Sequence, residues 1–97
     1  MTKSERRTFF AQMMWDASIT SQEVEEIFSG EKSQVGNFNK EALFKRILES
    51  YSWFTILQLF TPQQIKELLT DDIIRKIRSA SLRRQYEFAR KRLQQII

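Results

Sequence analysis

Two groups of carboxylates stand close enough along the chain to share chemistry. Asp71 and Asp72 are adjacent, and Glu23, Glu25 and Glu26 fall within four residues. Paired acids of this kind can hold a divalent cation or divide general acid and general base roles between them. Both groups, however, follow a threonine at a predicted helix start. There acidic side chains are favoured by the cap and by the positive end of the helix dipole, which accounts for them without chemistry. The 97 residues include no Cys and no His, which leaves no thiolate or imidazole for nucleophilic or metal-binding work and no disulfide framework. Gly30 and Gly36 are isolated, so no glycine-rich phosphate loop is present. The expectation is a non-enzyme with no catalytic residue, no cofactor and no metal.

The strongest electrostatic feature is the C-terminal quarter. Residues 73–97 carry eight basic side chains against the single acid Glu87, a balance of +7, whereas residues 1–72 balance at −3. On a helical wheel with Leu82 at 0°, Tyr86, Ala89, Leu93, Ile96 and Ile97 stay within about 60° of it. Arg83 and Arg90 fall at about 80–100°, Arg84 and Lys91 at about 180–200°, and Arg92 at about 280°. Phe88, at about 240°, stands apart from the apolar stripe among cations. Arg83, Arg84, Phe88, Arg90, Lys91 and Arg92 are therefore the candidate contact residues. Cations around an aromatic suit a phosphate backbone with a stacked base, or an acidic protein partner. The plainer readings are a solvated face with Glu87 pairing internally, and a Phe88 covered by the N-terminal segment around Trp15. A helix-turn-helix over 61–78 is disfavoured, because Asp71 and Asp72 would meet phosphate.

These residues need elements to hold them, and capping chemistry marks most of the boundaries. Thr20-Ser21-Gln22-Glu23 is a capping box and Gly30 a left-handed stop, predicting a helix over about 20–29. Asn39 caps a helix to about 51 whose apolar face is Leu43, Phe44, Ile47, Leu48 and Tyr51. Ser52 caps an apolar helix carrying Trp53, Phe54, Ile56, Leu57, Leu59 and Phe60, expected to be buried on most sides, with Trp53, Phe60, Leu48 and Leu68 in the core. Thr61-Pro62-Gln63-Gln64 opens another helix and Thr70-Asp71-Asp72 the next. The last spans about 81–96. Residues 4–15 read as a helix, within an N-terminal segment of about 1–18 expected at the periphery of the fold, and 30–37 as a flexible loop.

Together these elements predict one domain over 1–97, all-α, a compact orthogonal bundle of six or seven short helices. Eight Phe, two Trp and two Tyr supply enough large apolar surface for a core and argue against disorder. Two Gly and one Pro are too few for a turn-rich β-sandwich. The longest apolar stretch, Trp53 to Phe60, is far short of the ~20 residues that span a bilayer, and no signal peptide is evident, so the expected location is the cytoplasm with no membrane role.

The order Trp15-Asp16, Arg46-Ile47-Leu48-Glu49, Trp53 to Phe60, Thr61 to Ile65, and Arg78 through Ser81-Leu82 to Phe88 resembles a family of small uncharacterised helical proteins, over about residues 15–93. Members of that family are often encoded beside nucleotidyltransferase-type toxins of abortive-infection systems. The resemblance implies an all-helical, antitoxin-like protein that binds a partner and supplies no catalytic residues.

The expected function is thus a small non-catalytic helical module binding a protein partner. The alternative is a DNA- or RNA-binding module using the basic C-terminal helix. A homodimer remains compatible with either.

Overall fold

The computed structural model describes residues 1–96, with side chains as far as Gln95. Ile96 and Ile97, placed by the sequence on the apolar stripe of the last helix, fall outside the described side chains. The fold is all-α. Among the described residues seven helices follow one another: α1 (Lys3–Met13), α2 (Ser21–Ser29), α3 (Lys40–Ser50), α4 (Trp53–Leu59), α5 (Pro62–Leu68), α6 (Asp71–Lys76) and α7 (Ala80–Ile96). Between α2 and α3 the chain forms a two-stranded antiparallel ladder, β1 (Gln34–Val35) and β2 (Phe38–Asn39), with Val35 opposite Phe38.

Local chemistry starts nearly every helix. A hydroxyl or amide side chain accepts an N–H three residues on at Thr2, Thr20, Asn39, Ser52, Thr61 and Thr70. Thr20 with Glu23 and Thr61 with Gln64 close full capping boxes. Each cap satisfies an amide that has no partner inside its own helix. Ser79 does the same for α7, its Oγ accepting from the Leu82 amide at 3.3 Å. Gly30 ends α2 at φ 89°, a left-handed conformation that costs glycine little and other residues more.

The core gathers side chains from every helix. Phe10, Val24, Leu43, Phe44, Ile47, Ile56 and Ile65 are fully buried, joined by Ile74 from α6 and Tyr86 and Leu93 from α7. An aromatic chain runs through it, Phe10 to Phe28 to Phe60 to Phe44, with ring centroids 5.0–5.9 Å apart.

Three expectations require correction. First, the N-terminal helix is not at the edge. Phe10, Met13 and Met14 enter the core, and the Tyr51 hydroxyl donates to the Phe9 carbonyl at 2.6 Å. The Arg6 guanidinium lies 5.1 Å from both the Phe10 and Phe60 ring centres while pairing with Glu25. Second, part of the expected loop at 30–37 is a hairpin arm, turned by Gly36-Asn37 with Gly36 at φ 59°, as the first central residue of a II′ turn requires. Third, α4 is not buried on most sides. Ile56, Leu59 and, just after the helix, Phe60 face the core, but Trp53 is half-buried and Phe54 and Leu57 are exposed. Leu68, on α5, is also only half-buried.

Candidate functional site

The exposed face of α4 lies beside α7, and the two helices frame an apolar groove of about 530 Å³. Trp53 and Leu57 form one wall. Tyr86, Ala89 and Leu93 contribute from α7, with Gln85, Phe88 and Arg92 completing the lining. The Trp53 and Tyr86 rings tilt together at the base, centroids 6.1 Å apart. Phe88 is 66% exposed and Leu57 41%, and Phe54, also on α4 but not in the lining, is 71% exposed. Two large apolar side chains, Leu57 and Phe88, are thus left exposed in the lining of one concavity.

The geometry follows from the sequence of α7. A 17-residue helix running along a small bundle presents one stripe inward and the rest to solvent. Tyr86 and Leu93 occupy the buried stripe, while Phe88, two residues after Tyr86, is turned about 200° away. The sequence-based cover for Phe88 is absent: Trp15 is itself 83% exposed and does not line the groove.

The structure divides the six candidate contact residues. Arg83 is tied inward, donating to the carbonyls of Ile77 at 2.5 Å and Arg78 at 3.0 Å, where it caps the C-terminal end of α6. Arg90 pairs with Asp71 at 3.3 Å, pinning α7 to the start of α6. Arg84, Lys91 and Arg92 are exposed and make no ion pair among the described residues. Glu87 is exposed and, contrary to the expected internal pairing, forms no ion pair with them. The solvent side of α7 therefore carries Arg84, Phe88 and Arg92 at four-residue steps, with Lys91 beside them.

The carboxylates singled out in the sequence have partners within the fold. Asp72 pairs with Arg75, Asp71 with Arg90, and Glu25 with Arg6. The Thr20 amide donates to Glu23, holding its carboxyl below the ordinary value of 4.5. Burial works against the Glu49 carboxylate, but Lys45 at 2.9 Å and the Arg78 amide at 3.3 Å outweigh it and also hold the group below 4.5. Among the described residues no group of three acids is arranged to hold a metal ion, and no helix is long and apolar enough to cross a membrane.

Sequence reasoning missed the α4 half of the groove. Its signal was an apolar helix of only seven residues, which offers more large side chains than one buried face can absorb. No family model, curated protein or solved structure matches this chain.

Proposed function

We propose that this protein is a small non-catalytic helical module that binds a protein partner through the α4/α7 face. The observation that supports this reading is an open apolar groove lined by both Leu57 and Phe88, each exposed in the free chain. Large side chains left in water beside a concavity gain most when a partner desolvates them together. The groove lining is mainly carbon, which suits apolar side chains better than a phosphate backbone. An antitoxin-like role, the expectation raised by the family resemblance, is one form such binding takes.

The test places a photo-crosslinking amino acid at position 88 and, as a reference, at position 15 in the cells that express the chain. A discrete protein adduct at position 88, unaffected by nuclease and absent at position 15, is expected. Adducts at position 88 that nuclease removes would shift the function to nucleic-acid binding.

A further inference from the structure

We infer that the α4/α7 groove accepts an acidic amphipathic helix of a partner protein, seating its apolar side chains between Leu57 and Phe88 and its carboxylates on Arg84, Lys91 and Arg92. This rests on the protein-partner reading above and specifies the chemistry of the partner. The groove walls are helices, whose backbone groups are already bonded within themselves. An added strand would find no ladder there, whereas a helix needs only a trough for its stripe of side chains at i, i+3 or i+4, and i+7. Leu57 and Phe88 flank such a trough and are exposed in the free chain.

Charge selects among helices. Arg92 lines the groove, and Arg84 and Lys91 lie four residues before and three after Phe88 on α7, so they neighbour it on the helix surface, exposed and free of ion pairs among the described residues. Arg83 and Arg90, by contrast, are held by the fold. A partner carrying Asp or Glu along the edges of its apolar stripe meets three available cations and one opposing acid, Glu87. Lysines there would be repelled.

A second copy of the chain fits poorly. Around a twofold axis the same face meets itself, bringing Arg84, Lys91 and Arg92 against their equivalents. The two groove helices carry a single acid, Glu87, to answer three such cations in each copy. A nucleic acid would find only three unpaired cations beside a carbon-lined trough.

The decisive experiment pans a displayed library of helix-forming peptides, about 16 residues each, against the whole protein and against its Phe88→Asp variant. Circular dichroism confirms that the variant is folded, and Leu57→Asp provides a second disruption. Enriched peptides are expected to carry apolar residues at helical spacing and an excess of Asp and Glu. Their binding should fall about tenfold or more on Phe88→Asp or Leu57→Asp, and severalfold on Arg84→Ala with Lys91→Ala. Enrichment of neutral or basic peptides that still need Phe88 would overturn the acidic helix and leave the protein-binding groove standing. No enrichment, or capture of duplex DNA, single-stranded RNA or anionic vesicles that Phe88→Asp abolishes, would overturn both. A dimer in sedimentation that Phe88→Asp dissociates would replace the partner helix by a second copy.

Discussion

Tyr86 donates its hydroxyl to the carbonyl of Leu48 at 2.7 Å, fastening α7 to the C-terminal end of α3 beneath the groove. Leu48 lies in the last turn of α3, where a helix has no amide left to offer its carbonyls. The phenol fills that role while its ring packs against Trp53. The wall that carries Phe88 outward is thus positioned by the buried residue two places before it.

Removing that hydroxyl while keeping the ring should cost about 1–2 kcal/mol in Tyr86→Phe, since a buried carbonyl loses its partner. Tyr86→Ala should cost about 3–5 kcal/mol by adding a cavity. Phe88→Ala, on the exposed face of the same helix, should stay within about 0.5 kcal/mol. Urea unfolding of the three variants compares them, and an equal loss for Phe88→Ala and Tyr86→Phe would contradict this division of α7.

Phe60 and Trp53, both aromatic and seven residues apart, should differ sharply. Phe60 is buried against Phe28, Phe44 and the Arg6 guanidinium, so Phe60→Ala should cost about 3–5 kcal/mol. Half-buried Trp53 should lose only about 2 kcal/mol on truncation. Matched thermal melts would reveal the order, and a larger loss at Trp53 would mean that the groove floor belongs to the core.

The difference between those two residues marks what the sequence made legible. Capping is local: Thr20, Ser52, Thr61 and Thr70 each bond an amide three residues ahead, so their pattern can be read without knowing the fold. The stripe of Leu43, Phe44, Ile47 and Leu48 is equally plain, because one helix face with one polar opposite has one sensible orientation. Helix α4 is apolar almost all round, and composition does not distinguish a side chain inside from one awaiting a partner. Partners such as Ile77 for Arg83 and Asp71 for Arg90 lie off the helix, so a wheel drawn on α7 counted both arginines as surface. The Val35-Gly36-Asn37-Phe38 hairpin was expected as part of a flexible loop, although Gly-Asn between two apolar residues is a turn signal that could have marked it.

Caps offer a test that leaves the core alone. Thr61→Ala and Thr20→Ala each break one side of a capping box and should cost about 1 kcal/mol. Gly30→Ala should destabilise by a similar amount, about 1 kcal/mol, because alanine pays a steric penalty at φ 89° even though nothing crowds the position. A neutral Gly30→Ala in chemical denaturation would show that α2 can end in another conformation.

Stability should be flat around neutral pH and fall on both sides. The pKa values of Glu23 and Glu49 lie below 4.5 in the folded chain. Their contribution is therefore complete above that unfolded value and is lost as pH falls through the lower folded values. Burial raises Tyr51 and Tyr86 above 10.0, so their contribution is complete below 10.0 and is lost as pH rises through the higher folded values. Urea midpoints across the range should show both limbs, with Glu49→Gln flattening the acid limb and Tyr51→Phe the alkaline one. An alkaline limb that ignores Tyr51→Phe and Tyr86→Phe alike would assign it elsewhere.

Salt dependence separates the proposed protein-binding function from its nucleic-acid alternative. A phosphate contact releases condensed counterion, so log K falls with log salt by roughly 0.7–0.9 per contact. Arg83 and Arg90 are held by Ile77, Arg78 and Asp71, which leaves Arg84, Lys91 and Arg92 on this face. A slope no steeper than about −3 follows, with micromolar or weaker non-specific binding at physiological salt. Arg84→Ala with Lys91→Ala should flatten it by about two contacts' worth. The fold should stay within about 0.5 kcal/mol, because neither side chain has a partner among the described residues. A nanomolar, sequence-specific DNA complex at that salt would require Arg83 and Arg90 to leave their internal partners, and would make α7 a recognition helix.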